Sequence, residues 1–324
     1  MENMAQALSI VIVNYNGSAF LENCLRSFGG FLDLNNIAHE FLILDNASTD
    51  DSVEIIKRIA SEFLNVKPVF SEINHGFGSA NNILIEMAAY ATVVLLNNDT
   101  LTIDLQELCN KAKNSLLEKN TIYSCSILNA DHSIQKNTFS YPKVFNILID
   151  VFLVKKLFYS AYKFLFKERL QVLNGYYSGC YLVMKADVFK KAGGFDPDFF
   201  FYHEECDLFL RLEKLGIQKE LLKDRIVHYG SGGIGISDFA FKNYYVNLAR
   251  LLIKNHYGSA DLIKLIFKIS FHFRILLLLF GFKIPYSPFS HMYKSNAIFQ
   301  SSNKQLIALH KETLAQISGL HYSK

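Results

Sequence analysis

The chain has 324 residues, half of them hydrophobic and 14% aromatic, with a formal net charge of only +3. That composition fills a sizeable core in one large or two smaller domains and argues against wholesale disorder. Five scattered cysteines (Cys24, Cys109, Cys125, Cys180, Cys206), with no C-x-x-C pair among them, argue against a disulfide framework or a cysteine zinc site and fit reduced thiols in the cytoplasm.

The first apolar run, "ALSIVIVNY", has no basic region before it and no small-residue cleavage site behind it, so it reads as a first strand and not a signal peptide. "SAFLENCLRSF" then places Phe20, Cys24, Leu25 and Phe28 at helical spacing. "EFLILDN" is a second strand. "STDDSVEIIKRIASEF" opens with candidate N-caps and continues with Val53, Ile56, Ile59, Ala60 and Phe63 on one face. "VKPVF" is a short strand, "SANNILIEMAAY" a helix and "TVVLLNND" a strand. Strand and helix alternate, which calls for a mainly parallel α/β sheet with helices on both faces. Right-handed crossovers bring the loops after the strands to one edge of that sheet. "NYNGS", "DNASTD", "NHGFGSANN" and "NNDT" then gather at one crevice. This α/β domain is expected to span residues 1–235, with an aromatic and basic helical insertion at about 139–173, followed by a helical region at 236–324.

The polar residues of that crevice have two local readings each. Asn97, Asn98 and Asp99 end the buried run "VVLL" either as an ordinary turn or as a metal and diphosphate site at a strand's carboxyl end. Asp45 is a turn carboxylate, or an acceptor for the imide N–H of uracil or thymine; Ser48, Thr49 and Asp50 are closer caps for the next helix. Asn14, Tyr15 and Asn16 form a plain strand-to-helix turn or offer amides and a ring to a base. Gly76 and Gly78 allow a positive-φ turn or close approach of backbone to a phosphate or ribose, with Asn74 and Asn81 aimed at the nucleotide. His228, after the run "RIV", is a satisfied histidine or a ligand. In "FYHEECDLFLRLEKLG", Leu208, Leu212 and Leu215 mark a buried helix face and Gly216 a stop. Glu204, Glu205 and Asp207 crowd its first turn. The helix dipole and an Asp207–Arg211 pair explain Asp207 but not two adjacent acids.

Five segments in order, "SIVIVNYNG", "ILDNASTD", "NHGFGSANN", "LLNNDT" and "GGFDPDFFFYHEECDLFLRL", resemble family 2 glycosyltransferases with the GT-A nucleotide-sugar-binding fold. The resemblance covers roughly residues 8–235 and is nearest to the rhamnosyltransferase-like branch used for bacterial surface polysaccharides. It implies an inverting transfer of one sugar, since the Q-x-x-R-W element of processive synthases is missing and the chain has no Trp. The donor implied is a UDP- or dTDP-sugar, held by Asn14, Tyr15, Asn16, Asp45, Asn74, Gly76, Asn81, Asn97 and Asn98. Asn97 and Asp99 occupy the D-x-D positions, with an amide in place of the first acid. Asp99 and His228 are then the ligands of a divalent cation, Mn2+ or Mg2+. Glu205 takes the position of the general base, where the family has Glu-Asp and this chain Glu-Glu.

A nucleotidyltransferase, with a related sheet, is expected to carry Arg and Lys in a glycine-rich loop after the first strand; "NYNGSAF" has neither. A catalytically weak, glycosyltransferase-like scaffold in a membrane polysaccharide assembly complex is the non-enzyme alternative, kept alive by Asn97 and the Glu-Glu pair. Between Arg250 and Lys294 seven basic residues face one acid, Asp261, around the greasy "ILLLLFGF". Lys264, Lys268 and Arg274 interrupt any spanning window. Such a helix either lies on an anionic membrane surface or packs in the core or a homodimer interface. The expected setting is the cytoplasm, peripheral at the inner face of the membrane, with a lipid-linked saccharide as acceptor and no nucleic acid as partner.

Overall fold

The computed structural model describes residues 7–142, 148, 152, 175–230, 238–282 and 302–320. Most of the 139–173 insertion, and Lys283 and Lys294 of the basic tail, lie outside the described residues. The chain divides into two compact units, one of residues 1–139, 171–200 and 204–233, the other of residues 140–170, 201–203 and 234–324.

Among the described residues, the first unit has ten strands: β1 Leu8–Asn14, β2 His39–Asn46, β3 Val66–Ser71, β4 Thr92–Leu96, β5 Thr100–Asp104, β6 Thr121–Leu128, β7 Thr138–Ser140, β8 Gly175–Tyr177, β9 Tyr181–Lys185 and β10 Gln218–His228. Its helices are α1 Leu21–Leu34, α2 Ser52–Glu62, α3 Gly76–Met87, α4 Gln106–Lys113, α5 Ala186–Lys191 and α6 Glu204–Lys214. Eight strands form one sheet in the order β3-β2-β1-β4-β9-β6-β10-β5, and β7 pairs with β8 apart from it. The strands β1 to β4 are mutually parallel neighbours, and β6 and β10 are parallel to each other. Only β9, wedged antiparallel beside β4 and β6, and the edge strand β5 run the other way. The run "LSIVIVN" of β1 and the whole of β2 and β4 are almost completely buried, which is why these strands read as unbroken apolar runs.

The register places the site. Asn14 at the end of β1 lies beside Asp45 at the end of β2, and on the other side of β1 the pairing with β4 runs as far as Val11 and Leu95. His228, the last residue of β10, pairs with Thr100, the first of β5, which follows Asn97–Asp99 directly. The carboxyl ends of β1, β2, β4, β6 and β10 therefore share one edge, and the amino ends of β9 and β5 join them.

Two sequence expectations about helix faces change. Phe63 is 39% exposed beyond the end of α2, under the Arg26 guanidinium at 5.2 Å, so Ile56 and Ile59 carry that face. Leu215 is also 39% exposed, because Gly216 at φ +73 ends α6 and Ile217 N–H turns back to the Leu212 carbonyl. Ile217 fills the core place that spacing assigned to Leu215.

The second unit holds α7 Asp238–Lys254, α8 Ala260–Leu279 and α9 Asn303–Ser318. They pack Phe241, Tyr245, Leu248, Phe267, Phe271, Leu309 and Ile317 together. Ser259 caps α8 by accepting the Leu262 N–H, and Ser302 with Gln305 forms a capping box on α9. Arg274, one of the charges that interrupt the apolar tail, points inward. It is 1% exposed, donates to the Tyr245 hydroxyl at 2.8 Å, and lies over the rings of Tyr245 and Phe271. Among the described residues no helix is long and apolar enough to cross a membrane.

Candidate active site

At the first corner of the sheet edge, three strand ends are tied by side chains. Asn14 Nδ2 donates to Asp45 Oδ1 at 3.0 Å, and Asn98 Nδ2 donates to Asn14 Oδ1 at 2.7 Å. All three residues are buried. Gly17 makes this possible, since a Cβ there would stand 2.0 Å from Asn98 Nδ2 and 2.4 Å from Asn14 Oδ1. The Ser48 N–H donates to Asp45 Oδ2 at 3.0 Å, and the Ser48 hydroxyl receives the Asn16 N–H at 2.9 Å. Asn16, at φ +52, accepts the Thr49 N–H at 2.7 Å. Asp45 thus orders its own turn and is held beside Asn14 at the strand mouth. Asp50 rather than Asp51 serves the start of α2, taking the N–H groups of Ser52 and Ser18. Burial opposes its charge, but the bonds from Ser52 and Ser18 outweigh it and hold the carboxyl down at about 2.

The 74–78 loop is organised by a residue that spacing did not single out. Asn46 Nδ2 donates to Asn74 Oδ1 at 2.9 Å, and Asn46 Oδ1 accepts the His75 N–H at 2.8 Å. Asn74 Oδ1 also takes the Gly76 N–H at 2.8 Å. Gly76 has φ +77, and a Cβ on it would meet the Phe200 carbonyl at 2.3 Å, so glycine is required twice over. Asn81 is 1% exposed and donates to the Phe77 carbonyl of its own helix at 2.9 Å.

At the second corner, the Asp99 Oδ1 and His228 Nε2 atoms are 3.2 Å apart, and Asn97 Nδ2 lies 3.3 Å from the same Nε2. These contacts ask opposite things of that nitrogen, a proton for the carboxylate and a lone pair for the amide. Gln135 Oε1 sits 2.8 Å from the other ring nitrogen, Nδ1, and Gln135 Nε2 donates to the His228 carbonyl at 3.4 Å. Burial disfavours the charged imidazole, while the Cys180 sulfur and the Asp99 carboxylate favour it, and the balance lifts its pKa well above the ordinary value. Beneath the turn, Cys24 touches the Asn97 carbonyl and the Thr100 hydroxyl; burial pushes its thiol up to about 12, so it stays neutral.

A divalent cation between Asp99 and His228 satisfies both demands, taking an imidazole lone pair and an ionised carboxylate. A Gln135 amide on Nδ1 leaves Nε2 as the ligand nitrogen, the arrangement found behind metal-bound histidines. Among the described residues no group of three or more His, Cys, Asp and Glu gathers.

The acidic doublet enters through β9. Asn97 N–H donates to the Cys180 carbonyl at 3.0 Å, and one residue earlier the Gly179 N–H donates to Glu205 Oε1 at 3.1 Å. Gly179 leaves no room for a side chain: a Cβ would lie 2.9 Å from Phe77 Cε1 and 3.0 Å from Glu205 Oε1. Glu205 is half-buried, and burial raises its pKa against the pull of backbone N–H groups. Glu204 is 3% exposed and its Oε2 has no hydrogen-bond partner among the described residues. Burial, with repulsion from Glu205, raises its pKa well above the ordinary carboxylate value. Asp207 is held by Arg211 at 2.8 Å, as the helical spacing predicts.

A mainly parallel sheet with its strand-end loops gathered at one edge, an Asx-rich strand end, and a carboxylate held beside it defines the GT-A class of nucleotide-sugar-binding fold. The profile of the family described as "Glycosyl transferase family 2" matches residues 9–193, and the chain belongs to that family. An uncharacterized glycosyltransferase of Haemophilus influenzae is 32% identical over 95 residues, a match that spans 28% of this chain and about a third (36%) of that relative. Among solved structures, a mannosyltransferase from Pyrobaculum calidifontis, in complex with GDP-Man and Mn2+, superposes with a TM-score of 0.52 at 13% identity, covering 96% of this chain and 85% of the other. GalNAc-T7 with UDP, GalNAc and Mn2+ gives 0.51 at 14% identity, over 98% and 58%. These two share the fold.

Proposed function

We propose that the chain transfers one sugar from a UDP- or dTDP-sugar to a hydroxyl of a saccharide acceptor, with inversion, in the assembly of a cell-surface polysaccharide. The observation that carries this reading is the link Asn97–Cys180–Gly179–Glu205, which ties a carboxylate to the corner where Asp99 and His228 meet. Glu205 accepts the proton of the attacking hydroxyl as its oxygen bonds to the anomeric carbon. The bond to the nucleoside diphosphate breaks on the opposite side, which inverts the configuration. Asp99 and His228 would hold the divalent cation, Mn2+ or Mg2+, which neutralises the departing diphosphate when bound. The rest is positioning and base catalysis.

Asp45 is the group assigned to the base. Its carboxylate, oriented by Asn14 and Ser48, accepts an imide N–H that uracil and thymine carry and that adenine and cytosine lack. The fold leaves the base open, since one protein that shares it is solved with GDP-Man. The basic, apolar tail adds a lipid-linked acceptor at the inner face of the membrane to the proposal.

The test is a thermal-shift and hydrolysis panel of UDP-, dTDP-, GDP- and ADP-sugars with and without Mn2+, followed by assignment of the product anomer by NMR. Stabilisation and turnover confined to uridine or thymidine donors, with an inverted product, is expected. Equal response to purine donors overturns the base assignment, a retained anomer overturns the mechanism, and binding without any hydrolysis or transfer returns the protein to the scaffold reading.

A further inference from the structure

Two described helices of the second unit, α8 and α9, differ in what they show to water. On α9 the exposed positions are polar or small, among them Lys304, Gln305, Ala308, Lys311, Glu312 and Gln316. On α8 most of them are apolar, Asp261, Lys268 and His272 being the exposed polar positions. Leu262, Leu265, Ile269, Leu276 and Leu279 are 49–68% exposed, and Phe280 and Phe282 just beyond the helix are 73% and 58% exposed. The intervals from 262 to 265, 269, 276 and 279 follow the helical repeat, so these side chains lie on one stripe rather than being scattered. The opposite side of α8, with Ile263, Phe267, Phe271, Arg274 and Leu278, is fully occupied by the core of the unit.

We infer that this stripe of α8 is the surface by which the protein lies on an anionic lipid bilayer. The inference rests on the membrane setting of the proposed function and gives it a place. The occupant follows from charge. Lys264 and Lys268 sit one helical turn apart along one edge of the stripe, with Asp261 the single acid of the helix. A helix that buries leucines in the acyl boundary while lysines reach the headgroups is favoured at an anionic interface. A second copy of the same face would bring lysine edges and leucines together without a complementary acidic edge. With Asp261, Lys264, Lys268 and Arg274 along its length, α8 rests on the bilayer and does not cross it.

Flotation of the full chain with phosphatidylcholine vesicles, pure or mixed two to one with phosphatidylserine, tests the surface. Expected is recovery with the mixed vesicles at low salt, loss at high salt, and little recovery with the pure ones. Leu265→Glu/Ile269→Glu is expected to abolish flotation. Lys264→Gln/Lys268→Gln, which leaves the apolar stripe intact, is expected to weaken it about tenfold or more. Lys304→Gln/Lys311→Gln, on the polar face of α9, is expected to leave it unchanged. Melting curves and UDP binding accompany every variant. Wild-type protein that ignores phosphatidylserine vesicles overturns the inference. So do Lys264→Gln/Lys268→Gln protein that floats like wild type and light scattering that shows a dimer split by the leucine variant. UDP binding retained alongside such a result leaves the proposed function standing, whereas wild-type protein without UDP binding fails that reading and not this one.

Discussion

Glu205→Gln is the perturbation that bears most directly on the proposed chemistry. Its Oε1 accepts the Gly179 N–H at 3.1 Å, a bond that a glutamine oxygen keeps. The substitution therefore removes the proton acceptor while leaving the side chain in place. Loss of a general base typically costs about 10² to 10⁴ in rate, equivalent to about 2.7–5.4 kcal/mol of barrier. Donor binding, proposed to involve the Asn14–Asp45–Asn98 corner and Asp99, is expected to change less than about twofold, well under 1 kcal/mol. The assay is single-turnover transfer beside calorimetric titration of UDP. The pH profile gives a second readout. A base must be ionised, so kcat of the wild type rises with pH along an acidic limb, and burial sets that limb above the ordinary 4.5. The limb is absent from whatever activity Glu205→Gln retains. Glu204→Gln is the comparator, since Glu204 is buried and its pKa is raised by that burial and by Glu205. It is expected to keep turnover within about tenfold. If Glu204→Gln is dead and Glu205→Gln active, the two acids have been assigned in the wrong order.

Gly179→Ala is expected to fold but to lose about 10²-fold in kcat, because its Cβ, 3.0 Å from Oε1, pushes the carboxylate out of line; turnover near wild type would detach Glu205 from the chemistry. Asp45→Ala is expected to weaken UDP binding at least about tenfold, the loss of a charged acceptor worth roughly 1.5–3 kcal/mol, and to lower the melting temperature as Asn14 and Ser48 lose their partner; unaltered UDP affinity in calorimetry would remove Asp45 from base recognition. Gln135→Leu is expected to raise the Mn2+ concentration needed for half-maximal stabilisation about 10- to 100-fold, as loss of the support behind a metal-bound histidine does. In the second unit, burial, then the Arg274 charge, lowers His310 from 6.5 to about 4. The unfolded chain takes up that proton first, so stability falls as pH drops from about 6.5 towards 4. The loss is about 2 kcal/mol between pH 7 and pH 5, and denaturant unfolding of His310→Leu at those two values is expected to lack it.

The first half of the site could be read in the sequence because each of Asn14, Asp45 and Asn97–Asp99 directly follows an apolar run, and in parallel strands such residues share an edge. His228 obeys the same rule at the end of β10. Gly179 escaped it because β9 is reversed. Its entrance rather than its exit lies at the site, so the informative residues precede the apolar run "YLVM" instead of following it. Gln135 lies in a polar loop whose turn back onto β6 leaves no periodic trace; its role comes from the Ile127 carbonyl that accepts its N–H and from the ring it meets. Asn46 was hidden by its neighbour, since the Asp-Asn pair offered one residue for a base and two were needed, the second to shape the next loop. Asn81 carries a helical bond that spacing did not foretell: its amide reaches back to the carbonyl four residues earlier.

The Asn98–Asn14–Asp45 tie joins residues that are 84 and 31 positions apart along the chain. During synthesis at about 5–20 residues per second, Asn14 waits about 4–17 seconds for Asn98 to be made. Through that interval β1 and β2 can pair while the buried amide of Asn14 still lacks its donor. A nucleotide at the proposed Asp45 site therefore has no finished pocket on a nascent chain, and it cannot rescue early folding by mass action. Once β4 has closed against β1, however, the same ligand stabilises only chains whose three crossovers are complete, so donor binding reports on the quality of the β1–β4 half of the sheet.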